Sequence, residues 1–481
     1  MRTIAVGPSG SAPRWIAGAL LAAALATSGR AQTRQPDWRT IEPQTLQHYT
    51  SLLKIDTSDP PGNEKPAAEY LKQVLEGAGI PVQLYESEPN RVNVVARLKG
   101  NGSRRPILMM SHTDVVTVDP KKWKFPPFSA TRDGGYVYAR GATDDKDNLT
   151  ASLMTLLLLK QMNTPLSRDV IFLAEAGEEG STRVGIDYMV KQHFADIDAE
   201  FCLAETGGVS RRDGRVQFAT IQTAEKTAFS IDLVATGISG HGSVPLTTNA
   251  IAHLAKAVTA AAEWKPPVRL NDTTRAYFER LARLAAPADA ARYRAVLNPD
   301  SPAAAAAVDY FAVHAPAHAS MLRSSISPVI VQAGYRMNVI PSEAKATLDV
   351  RLVPGDDPAD FLQQVRRVVG DPAVRVDYAP RDARPRTTSA KLDSEAFAAI
   401  ETAVAQNYDA PVLPTMSTGA TDMAYLRAKG MQCYGIGPAV DDEDAAKGFG
   451  AHSDQERLLE SELHRFVRFN FDIVSTLARV R

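Results

Sequence analysis

Short apolar runs alternating with helix-forming stretches predict an α/β fold, a layered α/β/α domain interrupted by an inserted α+β domain. Three observations predict it: the alternation itself, a change of pattern after Thr223, and its return after a Pro/Arg-rich stretch at 380–386. Brief apolar strands set between helices bury both faces, as in a largely parallel sheet covered on each side. Ligands of such sheets gather beyond the carboxyl ends of the strands.

In chain order, residues 67–77 are rich in Ala, Glu, Leu and Lys, and Gly77 and Gly79 stop that helix. Residues 92–98 and 107–111 read as strands, the second opening after Pro106. A strongly apolar helix at 149–162 precedes two more buried strands, 169–174 and 201–204. Beyond Thr223, strands at 229–235 and 345–352 alternate apolar and polar residues, as half-buried strands do, and an Ala-rich helix occupies 250–262. The alanines at 303–307 simply favour helix. The expected organisation is a signal segment at 1–31, one layered domain made of 32–222 and 384–481, and an insert at 223–383.

The 481 residues carry 54 basic and 55 acidic side chains, a net charge of −1, which removes any broad drive toward nucleic acid or anionic membrane. Two cysteines, Cys202 and Cys433, exclude a disulfide framework and a zinc ribbon, and leave one bridge open. Arg2 and Arg14, the apolar run 15–26 and the small-residue exit at 29–31 have the pattern of a cleaved secretory signal. The run is short for a bilayer span, and an uncleaved anchor is the alternative. The expected location is secreted or periplasmic, without membrane insertion once the signal is removed.

Acidic and histidine residues stand where these strands end. The 107–111 strand runs into His112-Thr113-Asp114. A histidine there can present its imidazole to a metal and an aspartate two residues on can orient the ring, although a turn with a capping Asp uses the same residues. Asp144, in Gly141-Ala142-Thr143-Asp144-Asp145-Lys146, either bridges cations or caps the following helix. Glu178 and Glu179 lie between Gly177 and Gly180, Glu205 ends the 201–204 strand, and His452 sits in a glycine-flanked loop. Hydrolysis needs two kinds of carboxylate close together, one that binds metal and one that moves protons. Each position alone has an ordinary explanation as a cap, turn or solvated loop, but the five do not share one.

Taken in order, residues 111–116, 140–146, the Glu178-Glu179 pair, Glu205 and the loop around His452 resemble the successive motifs of the M20 family of di-zinc metallopeptidases. That family includes glutamate carboxypeptidases, succinyl-diaminopimelate desuccinylase, acetylornithine deacetylase and aminoacylases. Residues 123–128 and the 141–146 segment are most similar to its carboxypeptidase S-like branch. Asp147 departs from the pattern, in which a glycine often follows the lysine.

The resemblance implies two Zn²⁺ per chain, with Co²⁺ or Mn²⁺ as substitutes. His112, Asp144 and Glu205 would hold one ion, and Asp144, Glu179 and His452 the other. Two dications, three carboxylates and a bridging hydroxide sum to zero charge, which a partly buried site tolerates best. Glu178 becomes the general base and Asp114 the partner that orients His112; from the residues alone, Glu178 and Glu179 could exchange roles. His241, in the insert, resembles the histidine that stabilises the oxyanion, and in dimeric relatives it comes from the partner subunit. A homodimer is thereby implied, with a self-sufficient monomer as the alternative. Asn338, Arg351, Gly419 and Thr421 resemble substrate-binding positions. The implied activity is cleavage of the amide next to a C-terminal amino acid, as a carboxypeptidase or dipeptidase. The alternative is removal of an N-acyl group from an amino acid, and a non-catalytic binding protein on the same fold is the remote one. The partner is thus a small peptide or N-acyl amino acid.

Overall fold

The computed structural model describes residues 36–380 and 384–480, so the expected signal segment lies outside it. The strands Ile107–His112, Val170–Glu175 and Phe201–Ala204 are buried along their whole lengths. Backbone so buried must satisfy its polar groups from neighbouring strands. They do this in a ten-stranded sheet ordered Val82–Glu88, Arg91–Leu98, Val170–Glu175, Ile107–His112, Phe201–Ala204, Gln432–Gly435, Arg215–Glu225, Gly208–Arg212 and Ala439–Asp441, with Val412–Ser417 paired to Arg215–Glu225.

The sheet is mixed, which corrects the expectation of a largely parallel one. From Val170–Glu175 to Gln432–Gly435 the neighbours are parallel. Outside that block, Arg91–Leu98 runs antiparallel to both Val82–Glu88 and Val170–Glu175, and Gly208–Arg212 antiparallel to Arg215–Glu225. Tight turns account for the Val82–Glu88/Arg91–Leu98 and Gly208–Arg212/Arg215–Glu225 pairs, since two-residue connections can join only antiparallel strands, whereas Arg91–Leu98 reaches Val170–Glu175 through a long connection. Asp213 and Gly214 both have positive φ, 50° and 72°, the geometry that lets a two-residue hairpin follow strand twist.

Helix Lys146–Gln161 is buried on almost every side, packed between the sheet and helices Trp38–Leu53 and Glu460–Ala478. It begins three residues before the expected start at 149, and Asp147 in its first turn is buried, which pushes its carboxyl well above the usual carboxylate range. Among the described residues no helix is long and apolar enough to cross a membrane.

A second, antiparallel sheet is ordered Ser325–Ala333, Glu343–Leu352, Thr227–Thr236 and Val374–Tyr378. Helices Ala250–Glu263 and Pro358–Val369 share its core. Glu343–Leu352 alternates in burial as its sequence indicates. Thr227–Thr236 instead is buried almost throughout, and its polar Asp232 is covered by Lys345 and Thr347 of its neighbour. The edge strand Ser325–Ala333 exposes Val329, Ile330 and Val331. Helices Asp272–Leu284 and Pro302–His314 serve the large sheet: Tyr277, Phe278 and Phe311 pack in one core with Ala224, Leu413 and Met416. Trp38–Arg481 forms a single compact unit, and of the preceding unit, Met1–Asp37, only residues 36 and 37 are described.

Candidate functional site

Strand Ile107–His112 delivers His112 to the carboxyl edge of the large sheet, 2% exposed. Its Nδ1 lies 3.0 Å from the carbonyl oxygen of Asp114, which turns Nε2 toward Asp144 Oδ1 at 3.0 Å and Glu205 Oε2 at 3.9 Å. The other oxygen of Asp144 is 3.1 Å from His452 Nε2, and that nitrogen is 2.8 Å from Glu179 Oε1. Two groups result, His112–Asp144–Glu205 and Asp144–Glu179–His452, each with candidate ligand atoms all within 4.8 Å of one another. Asp144 belongs to both.

The electrostatics of this cluster call for cations. Burial, then the neighbouring carboxylates led by Glu178, push Glu205 well above the usual carboxylate range. Burial opposes a charge on His112, but Asp114, Asp144 and Asp145 pull its imidazole well above its ordinary value. Asp144 and Glu179 raise His452 to about 10. Three converging carboxylates are thus met by two imidazoles, and the nitrogen and oxygen donors without thiolate suit a zinc-type ion. The donor set fits a pair of such ions.

Asp114 works differently from its expected role. Its carbonyl oxygen orients His112, while its carboxylate stands 3.6 Å from Nδ1 and accepts the N–H groups of Glu178, at 3.2 Å, and Glu179, at 2.9 Å. One buried aspartate therefore fixes both the first histidine and the glutamate pair. Beneath it, Asp59 and Glu64 complete a third acidic group with Asp114, but Arg91 occupies it, bonding Asp59 at 2.6 Å and Glu64 at 2.8 Å. Arg91 thus neutralises the floor of the glutamate loop. Gly180 is required there, because a Cβ would strike the Asp59 carboxylate.

Glu178 faces a residue that sequence reasoning missed. Its Oε1 accepts from Arg384 at 3.1 Å, and Arg384 also reaches Asp422 at 2.9 Å. Burial raises the Glu178 pKa while Arg384 opposes the rise. Nothing local marks Arg384, which lies in a Pro/Arg-rich stretch far along the chain from Glu178. A search for basic residues near the return into the layered domain could have flagged it.

The remaining expected positions divide. Thr421 is buried and gives both its N–H and its hydroxyl to Glu225, at 2.6 and 3.0 Å; Glu225 also pairs with Arg427 at 2.6 Å. Thr421 is therefore a loop anchor, its donors already taken, while Gly419 is exposed at the tip of that loop. His241 and Asn338 come together, because Gly240–His241 pairs with Val339–Ile340 and the Gly242 N–H donates to the Asn338 carbonyl. Both are exposed, and among the described residues neither hydrogen-bonds a metal-ligand candidate; His241 Nδ1 meets Ser243 Oγ at 2.7 Å. Arg351 bonds Asp349 on its own strand. Cys202 and Cys433 are free, buried, and side by side on parallel strands.

The chain matches the model of peptidase family M20/M25/M40 over residues 108–476. It is 26% identical to the probable carboxypeptidase S-like 2 of Dictyostelium discoideum, covering 92% of this chain and 89% of that protein. Aminoacylase-1 of Mus musculus is 25% identical, over 90% of this chain and 95% of its own. Among solved structures, the M20 family metallo-carboxypeptidase Sso-CP2 from Sulfolobus solfataricus superposes with a TM-score of 0.69 at 22% identity, covering 90% and 98% of the two chains. The match takes in every candidate metal ligand from His112 to His452, so the chain belongs to peptidase family M20/M25/M40 and is a hydrolase of amide bonds.

Proposed function

We propose that this hydrolase cleaves the amide whose nitrogen belongs to an amino acid with a free carboxylate, the bond common to carboxypeptidase, dipeptidase and N-acyl-amino-acid deacylase chemistry. The observation that carries the reading is the double ligand set sharing Asp144, with the Glu178–Arg384 pair beside it. His112, Asp144 and Glu205 would hold one zinc ion, and Asp144, Glu179 and His452 the second. When bound, such ions supply Lewis acidity to the scissile carbonyl and lower the pKa of the attacking water. Glu178 takes a proton from that water and gives it to the departing nitrogen. Arg384, whose guanidinium is shared between Glu178 and Asp422, holds the base in place and favours its charged form.

The second sheet with helices Ala250–Glu263 and Pro358–Val369 acts as the inserted domain, carrying His241 toward the oxyanion of a partner subunit's site. The exposed apolar edge Ser325–Ala333 supports a homodimer, because two such edges can pair into one continuous sheet. The basic and apolar N-terminus supports export to the periplasm or beyond.

Metal analysis with paired variants tests the core of this reading. We expect close to two zinc-type ions per chain, activity lost on chelation, and recovery with Zn²⁺ or Co²⁺. Glu178→Ala should lower kcat by about 10²–10⁴ or more at nearly unchanged metal content. Glu179→Ala should lose metal. Full activity in a metal-free preparation would overturn the reading, and exchanged phenotypes would reverse the roles of the pair.

A further inference from the structure

The loop that carries Asp144, the ligand shared by both groups, is held by a residue from the far end of the chain. Strand Arg457–Leu459 pairs antiparallel with Tyr136–Tyr138, and the Ala139 N–H donates to the Glu456 carbonyl at 3.2 Å. This pairing sets the Glu456 side chain against the start of the Asp144 loop, where its carboxylate gathers four donors. Oε2 accepts from Arg140 Nη1 at 2.7 Å and from the Gly141 N–H at 3.0 Å. Oε1 accepts from the Thr143 N–H at 2.7 Å and from the Thr143 hydroxyl at 3.2 Å. Gly141, at a φ of 82°, permits the bend that turns two amides toward one carboxylate, and a Cβ there would strike Val115.

Glu456 is 0% exposed and stands 313 to 316 residues from these partners in sequence. Burial raises its pKa, and Arg140 and the Thr143 amide oppose that rise. A buried carboxylate with so many donors is a directional anchor rather than a solvated charge. It lies four residues after His452, the last ligand of the second group. Gln455, beside it, fastens the same segment to the backbone of Lys122, at 2.8 Å, and of Lys124, at 3.1 Å. The Asp144 loop is tied on its other side to helix Trp38–Leu53 and the turn that follows it. The Tyr49 hydroxyl donates to the Ala142 carbonyl at 2.5 Å, and the buried Lys146 donates to the carbonyls of Leu52, at 3.1 Å, and Ile55, at 2.8 Å. Asp144 thus sits on a loop hydrogen-bonded from both ends of the chain, while its own carboxylate reaches both histidines.

We propose that Glu456 is the positioning residue for the bridging carboxylate: it locks the Asp144 loop to the segment carrying His452, so that one buried side chain sets the geometry of both metal groups. The inference rests on the proposed pair of zinc ions and deepens it. Among the described residues Glu456 hydrogen-bonds no candidate ligand, and so it acts through Arg140, Gly141 and Thr143. Because Asp144 belongs to both groups, freeing its loop should weaken both sites together. Loss of a ligand that serves one group, as in Glu179→Ala, should instead empty one site and spare the other.

The test withdraws Zn²⁺ from the loaded full chain with a graded series of chelators and reads both dissociation constants. The thermal midpoint of the stripped chain is measured alongside. Glu456→Gln keeps the side chain's shape but turns an amide NH₂ toward donors. It should weaken both sites by about 10–100-fold while leaving their number at two. Thr143→Val removes only the hydroxyl donor at nearly constant shape and should weaken both by about fivefold. It becomes the deciding variant if Glu456→Gln does not fold. Dissociation constants equal to those of wild type in the variant that folds, with or without a lower midpoint, reduce Glu456 to a structural anchor and overturn the proposal. Weakening confined to one site overturns it as well. A wild-type chain that binds fewer than two zinc ions instead overturns the two-ion reading beneath it.

Discussion

Replacing Lys226 with methionine should make the protein more stable at pH 6 and change it little above pH 10. Lys226 lies where strand Arg215–Glu225 of the large sheet hands the chain to Thr227–Thr236 of the second, and it is 1% exposed. Its Nζ donates to the hydroxyls of Ser320 at 3.0 Å and Ser325 at 3.1 Å. Burial lowers its pKa from 10.5 to about 7, Arg351 pushes in the same direction, and Asp356 opposes. Below pH 7 both folded and unfolded chains carry the charge, and the full cost of burying it is present. Between 7 and 10.5 the unfolded chain holds the proton that the folded chain has released, so stability rises with pH. The whole shift corresponds to about 5 kcal/mol, of which roughly 3 kcal/mol accrues between pH 6 and 9. Methionine keeps the stem's volume and removes the titration. Urea unfolding of both proteins at pH 6, 7.5 and 9, followed by tryptophan fluorescence, measures the difference. A Lys226→Met advantage that stays constant from pH 6 to 9 would refute the argument, since a purely packing effect has no reason to follow the lysine's titration.

Arg384→Ala removes the guanidinium that opposes the rise in the Glu178 pKa. It should lower kcat for substrates with and without a free carboxylate and move the acid limb of the pH–rate profile to higher pH, with metal content altered little; a profile unchanged from wild type would refute that role. Arg427→Ala leaves Glu225 buried without its guanidinium and should cost about 3–5 kcal/mol, read as a lower midpoint of thermal unfolding. For His241, chains carrying Glu178→Ala are mixed with chains carrying His241→Ala, each inactive alone. Restored activity is expected, because a mixed dimer contains one site with neither lesion; a dead mixture after demonstrated subunit exchange would place the histidine in its own chain's site.

The candidate ligand set was legible as a cluster because each member closes a strand or sits in a glycine-flanked loop, and strand ends are where an α/β sheet gathers its chemistry. Periodicity located Ile107–His112 and Phe201–Ala204 to within a residue, since buried strands leave a continuous apolar trace. Sheet direction was less legible. The Asp213-Gly214 turn was the available signal for one of its antiparallel pairs, and alternation was the more conspicuous pattern. Asp114 was half legible: its spacing from His112 suggested contact, but only the fold shows the carbonyl taking the ring while the carboxylate takes two amides. Arg384, Asp422 and the Arg91 network were not legible, because ion pairs between residues dozens to hundreds of positions apart leave no local pattern. For the same reason, the helices at 272–314 were assigned to the insert although their apolar faces serve the large sheet.

The pairing of Phe201–Ala204 with Gln432–Gly435 has a consequence for how the protein is made. A nascent chain emerging from the ribosome presents the middle of its principal sheet as an open parallel edge until more than two hundred further residues have been synthesised. His452, which joins Asp144 and Glu179, emerges later still. Such long-range closure makes folding slow and leaves a sticky edge meanwhile, a demand for holding factors during biogenesis. Fragments ending before Gln432 should accumulate as aggregates rather than as smaller, partly active proteins.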